Sequence, residues 1–157
     1  MGFAVVFVLD EQRFAVPLPM VEQVVRAVAV SPLPKAPAVV RGMIDVHGEI
    51  VPVMDIRLRL GLPSRAMALS DQIIIARTSS RHIAFAVENI AGVAEWDDVD
   101  FVAAQAVVPG VEFLDGVVRN REGLILVYDP DAFFLAEEHP QLDHALDQAV
   151  GQARVHG

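Results

Sequence analysis

The chain, 157 residues long, reads as a mainly β protein built from a duplicated β lobe, with short helices and a closing amphipathic helix. Three observations predict this. The apolar residues fall in short Val- and Ile-rich runs bounded by turn residues. Ten Pro and ten Gly punctuate the chain at close intervals, as in barrels and sandwiches. One pattern of blocks occurs twice.

Strands are expected at 4–9, 13–18, 49–54, 72–76, 82–87 and 124–128. Asp55 precedes a short apolar run, 56–60, that Gly61 stops, the pattern of a capped helix. Asp129-Pro130 repeats the pattern: the carboxylate accepts from exposed amides, and proline lacks the donor that would be orphaned. A catalytic Asp in each copy is the alternative, but an acid used identically twice is better explained as a fold position. The acidic run Glu95, Asp97, Asp98 and Asp100 reads as a solvated turn with Trp96 tucked inward. Behind Pro140, the residues Leu142, Ala145, Leu146, Ala149 and Val150 follow helical spacing and make one apolar face.

The repeat has two ordered blocks. Residues 13–18 align with 82–87 at an offset of 69, and Val21 and Val24 then fall over Ile90 and Val93. Residues 42–44 align with 116–118, and 50–55 with 124–129, at an offset of 74. A short insertion therefore separates the blocks in the second copy. The reading is a single domain over 4–137, with lobe one at about 5–65 and lobe two at about 70–135. A helix and tail follow at 138–157.

Charge excludes several functions. The net charge is −9, and its distribution is uneven. Residues 1–94 hold nine basic and eight acidic groups, whereas 95–157 hold three and thirteen. Nucleic-acid binding needs clustered Lys and Arg, and an anionic membrane surface would repel this chain. The longest uncharged stretch, 101–111, has 11 residues, and a spanning helix needs about 20. The opening residues lack a basic region ahead of their apolar run, so no secretory signal is expected. With no cysteine, disulfides, thiol nucleophiles and thiolate metal sites are all absent. A cytoplasmic protein is expected.

No catalytic constellation is found. Ser31, Ser64, Ser70, Ser79 and Ser80 lack the nucleophile-elbow context, and no glycine run cradles phosphate. No catalytic residue, resident metal or cofactor is expected. One alternative stays open: Asp45, His47 and Glu49 alternate along one strand side, and would suit a β-barrel regulatory module binding a metal or small molecule. The residues by themselves lead to a β-rich interaction module.

Several linked motifs resemble the CheW domain family. The opening, residues 7–16 followed by 21–25, is similar to the start of such domains. So is the Pro-x-x-Pro-x-x-x-x-Gly stretch from Pro34 to Gly42. Residues 44–57 follow, where the family reads Asn-x-Arg-Gly and then Pro-x-x-Asp-Leu-Arg. Residues 84–90, 116–118 and 123–126 fit its second half.

The resemblance implies two SH3-like five-stranded β-barrels about a pseudo-dyad. It implies a non-enzymatic coupling protein that joins methyl-accepting chemoreceptor tips to the regulatory domain of a CheA-type histidine kinase. No kinase or receiver motif flanks the domain, which suggests a stand-alone coupler. By motif match, receptor or kinase contact is carried to Val21, Gln23, Gly42, His47 and Gly48. Val21 also suits a plain core position, and Gly48 a plain turn. The sharpest departure is His47, where the family places Arg; Asp45 also stands in place of Asn. These changes suggest a divergent chemosensory system, because imidazole offers a weaker, pH-dependent charge than guanidinium.

Overall fold

The computed structural model describes residues 1–103, 114–121 and 123–156. Its strands are β1 (Gly2–Leu9), β2 (Gln12–Pro17), β3 (Val21–Arg26), β4 (Val40–Val46), β5 (Glu49–Met54) and β6 (Gln72–Arg77). They continue with β7 (His82–Val87), β8 (Asn89–Trp96), β9 (Phe101–Ala103), β10 (Leu114–Asn120) and β11 (Gly123–Tyr128). Helix α1 is Ile56–Leu60 and α2 is Glu138–His156; short 3-10 turns fall at Leu18–Met20, Asp98–Asp100 and Pro130–Phe133.

Two sheets form, one ordered β3-β6-β7-β5-β4 and the other β8-β1-β2-β11-β10-β9. Each has a single parallel pairing, β5 with β7 and β2 with β11. Each sheet curls until its edges are joined. In the first barrel, Ser31, just past edge strand β3, bridges to Met43 on the opposite edge strand. In the second, β9, just past edge strand β8, pairs with β10 and sets Val102 against Val117. The fold is thus two SH3-like β-barrels.

The repeat appears in the strand registers. Val6 faces Ala15 as Ile75 faces Ala84, and Val5 faces Val93 as Ile74 faces Val24. Those pairs keep the 69-residue offset. Gly42 faces Val53 as Gly116 faces Val127, keeping the 74-residue offset.

The halves 5–65 and 70–135 nevertheless do not each close a barrel. The first barrel is the continuous stretch 21–87, and the second is assembled from 2–17 and 89–128. Each half lends its opening hairpin to the other half's closing strands. A sequence repeat identifies equivalent positions; it carries no information about which copy a hairpin pairs with.

Three apolar clusters result. The first barrel's interior holds Ile44, Val51, Val53, Ile73, Ile75 and Ala84. The second's holds Val118, Ile125, Val127, Ala4, Val6 and Ala15, the same positions one for one. The buried aromatic side chains lie between the barrels instead. Phe7 and Phe85 meet across that seam with ring centroids 5.6 Å apart, and Phe133 packs edge-on to Phe85 at 5.9 Å. Alternate residues of β1 and β6 face barrel interior and seam, so these strands are apolar on both sides.

Helix α2 covers the seam with Leu142 and Ala145, both buried, while Leu146 and Ala149 pack partly against it. Val150, expected on the same stripe, is 38% exposed, so the stripe ends one residue earlier than its spacing suggests. The helix starts at Glu138, and Pro140 sits in the first turn, where a missing N–H breaks no helical bond. Glu138 is pinned to Arg59 Nη2 at 2.6 and 2.7 Å, and Asp143 to Arg81 at 2.6 Å. Part of the acidic excess of residues 95–157 is thereby neutralised by arginines from residues 1–94.

The caps are built as follows. Asp55 accepts from Leu58 N at 3.2 Å, and Gly61 ends α1 at a φ of 73°. Asp129 accepts from Asp131 N at 2.9 Å, with Pro130 at the first position of its turn. Trp96 stacks on Phe101 at 6.0 Å beside the second barrel's interior.

Buried Arg57 on α1 ties the barrels electrostatically. It donates to Asp10 Oδ1 at 2.9 Å in the β1–β2 turn, to the Pro63 carbonyl at 3.2 Å, and to Glu88 between β7 and β8. A guanidinium stays charged when it is removed from water, so such partners are needed to offset the cost of burying it.

Candidate functional site

The β4–β5 hairpin turns on two residues, His47 and Gly48, with φ of 51° and 88°. Positive φ at both central positions matches the right-handed twist of the flanking strands, and glycine adopts it without strain. Asp45 Oδ1 accepts from Gly48 N at 2.7 Å and closes the turn. His47, Gly48 and Glu49 are exposed at its tip.

Val21 and Gln23 lie on edge strand β3, where the register slips between them: Val21 faces Ala76 and Gln23 faces Ile75. Glu22 is the extra residue of that bulge, and it re-aims toward β7. Its Oε1 lies 3.8 Å from His82 Nε2, and the other ring nitrogen, Nδ1, lies 2.7 Å from Glu49 Oε1. His82 therefore joins the bulge to the hairpin, bringing the neighbourhoods of Val21 and Gln23 and of His47 and Gly48 into one surface.

Sequence reasoning missed both Glu22 and His82. The available signal was the repeat, which places His82 over Arg13, a polar residue at the same point of an apolar strand.

The other carried-over residues differ in character. Val21 packs partly against the seam core, and Gln23 is half-buried. Gly42 is buried, and a methyl group there would run into the Ser31 carbonyl oxygen. Its part is to let the closing segment approach β4, so any effect on partner contact is indirect. The surface offered outward is made of Glu22, Asp45, His47, Glu49 and His82. A cleft of about 550 Å³, lined by Val28, Val30, Arg41, Met67 and Leu69, includes none of these five residues.

The metal alternative finds no support in this arrangement. Asp45 is engaged by the turn amide and Glu49 by His82, so the alternating residues do not converge. Among the described residues no group of three or more His, Asp or Glu is placed to hold a metal ion. No helix among them is long and apolar enough to cross a membrane. Of the uncharged stretch 101–111, residues 101–103 form β9, and the rest lies outside the described residues.

The family model for the CheW-like domain matches residues 4–138. The chain is 26% identical over 136 residues to the chemotaxis protein CheW of Rhizobium meliloti, covering 85% of this chain and 88% of that one. It is 26% identical over 144 residues to the chemotaxis protein CheW of Treponema pallidum, covering 88% and 85%. Its fold is similar to the crystal structure of the scaffolding protein TtCheW from Thermoanaerobacter tengcongensis, with a TM-score of 0.79 at 23% identity. That likeness covers 87% of this chain and 94% of the other. Matched over nearly its whole length, with the fold and the duplicated register in agreement, the chain belongs to the CheW-like domain family.

Proposed function

We propose that this chain is a non-enzymatic adaptor coupling methyl-accepting chemoreceptor tips to the regulatory domain of a CheA-type histidine kinase in the cytoplasm. The observation that carries this reading is the match to the CheW-like model from residue 4 to residue 138. A coupling protein needs two outward surfaces on one rigid body. Two barrels welded by an aromatic seam and a shared arginine supply such a body. The surface built from Val21, Gln23, His47 and Gly48, together with Glu22 and His82, is the proposed receptor or kinase contact.

The histidine at the hairpin tip makes this a divergent member, tuned to its own receptors. The test is pull-down of receptor tips encoded beside this chain, and of the neighbouring kinase's regulatory domain, with wild type and His47→Arg. Saturable capture of both partners is expected, with receptor binding altered by the substitution. Capture of neither partner would refute the adaptor reading. Equal capture by both proteins would refute the role of position 47 alone.

A further inference from the structure

A cleft of about 380 Å³ opens at the β6–β7 turn, between the start of β5 and helix α2. Ile50, Pro52 and Leu146 give it an apolar lining, and Ile50 is 42% exposed. Arg77, Ser80 and Arg81 line its polar part. The turn is fixed from within: Thr78 Oγ1 donates to the Arg81 carbonyl at 2.8 Å and accepts from Arg81 N at 3.1 Å.

Acceptors and donors around this cleft are unequally used. The carboxylates are engaged. Glu49 Oε1 lies 2.7 Å from His82 Nδ1, Asp143 accepts from Arg81 Nη2 at 2.6 Å, and Asp131 accepts from Ser79 N and Oγ at 2.7 Å. The donors are not. Neither the Arg77 guanidinium nor the Ser80 hydroxyl has a hydrogen bond or ion pair among the described residues. Arg81 is held by Asp143 and lies 6.0 Å over the Phe134 ring, yet its Nη1 has no partner among them and its Nε is buried without one. A buried donor without an acceptor costs stability until one is supplied.

The duplicate shows which of these residues the fold requires. Ser79 corresponds to Asp10 and Asp131 to Arg57. In both copies, therefore, the turn is pinned to the segment that follows a cap. Arg77, Ser80 and Arg81 correspond to Val8, Glu11 and Gln12. The same backbone accepts an aliphatic, an acid and an amide there, so Arg77 and Ser80 answer no requirement of the fold.

We propose that this cleft docks an acidic peptide segment of a protein partner. Arg77, Arg81 and Ser80 take its carboxylate, and an adjoining apolar side chain rests on Ile50, Pro52 and Leu146. The occupant is identified by charge complementarity: guanidinium groups and a hydroxyl match a carboxylate, and the exposed Ile50 matches an apolar neighbour. Arg81 is already oriented by Asp143 and Phe134, so little freedom is lost on binding. His82 and Glu49 border the same cleft, so the docked segment extends the hairpin surface toward α2. The net charge of −9 opposes an acidic segment at long range. Salt screens that repulsion beyond about 8 Å at physiological ionic strength, and close pairs are screened less.

The test is a nuclear magnetic resonance titration of the full chain, following backbone amide shifts. The probes are a blocked tetrapeptide with one glutamate beside one leucine, the same peptide with glutamine for glutamate, and inorganic phosphate. Saturable shifts centred on residues 77–82 are expected with the glutamate peptide, and binding at least about tenfold weaker with the glutamine peptide. Arg77→Gln should weaken the glutamate peptide about tenfold and Ser80→Ala about threefold. Both residues are exposed, so both variants should keep the wild-type spectrum elsewhere. If Arg77→Gln does not, Ser80→Ala alone must show its loss. No saturable binding of the glutamate peptide, equal binding of the two peptides, or variants that bind as well as wild type would each overturn the proposal. Phosphate binding without peptide binding would overturn it in favour of a small-anion site. Neither kinase nor receptor enters the experiment, so its outcome is independent of the adaptor reading.

Discussion

In the first barrel Arg41 stands at the β4 bulge, 3.7 Å from Asp55, the acid that caps α1. At the equivalent bulge of the second barrel stands Asp115, and the equivalent cap is Asp129, so two acids replace an ion pair. Burial first, and the Asp129 charge second, raise the Asp115 carboxyl above its ordinary range. Meanwhile the six interior positions and the bulges coincide in both barrels. What duplication has kept is whatever the backbone requires: aliphatic interior residues, a glycine beneath the closing segment, an acid at each cap. The outward charges have diverged, which suits a protein that must present two different faces.

Mutations can break or sharpen that comparison. The largest effect is expected at the seam, which neither barrel owns. Phe85→Ala removes a fully buried ring from the centre of the aromatic cluster and should cost about 3–5 kcal/mol in urea unfolding. The interior change Ile75→Ala should cost less, about 2–4 kcal/mol. If the order were reversed, the barrels rather than the seam would hold the fold together. Arg57→Ala is next. It strands Asp10 and Glu88, both about a third exposed and able to find water, so a loss of about 2 kcal/mol is expected.

Smaller changes probe the symmetry. Gly42→Ala and Gly116→Ala should each cost about 1–3 kcal/mol by overpacking. The first methyl meets the Ser31 carbonyl; the second meets the Phe101 ring and the Val102 carbonyl. Loss at only one of the two sites would show that the closing segments are not equivalent. Asp115→Arg, which recreates the first barrel's pair, should raise the melting temperature by about 1–2 °C near neutral pH. The sign follows from linkage. The folded chain holds the Asp115 proton more tightly than the unfolded chain, so this carboxyl favours folding at low pH. That contribution is lost as pH rises through the window between its unfolded and folded values. The advantage of Asp115→Arg should therefore shrink below that window, and a gain that grew with acid would contradict this origin.

The fold was legible where burial is two-sided. Strands β1, β2, β5, β6, β7 and β11 separate the seam from an interior, so they read as unbroken apolar runs. Strands β3 and β8 are sheet edges without one buried residue. Their residues alternate too weakly to announce a strand, and only the repeat hinted at them. The exchange of hairpins between halves was not legible, since equivalent residues can pair within a copy or across copies.

At the candidate site, the turn at His47 and Gly48 was readable from local chemistry. His82 and Glu22 were not, because their partnership spans sixty residues of chain and depends on a bulge.

The adaptor account is tested most directly by bridging. Immobilised receptor tips are incubated with the kinase regulatory domain, with and without this chain, and the retained kinase domain is measured. The account predicts retention that rises saturably with the chain and falls when the hairpin and bulge residues are replaced. Retention independent of the chain, or a chain that binds neither partner, would contradict it.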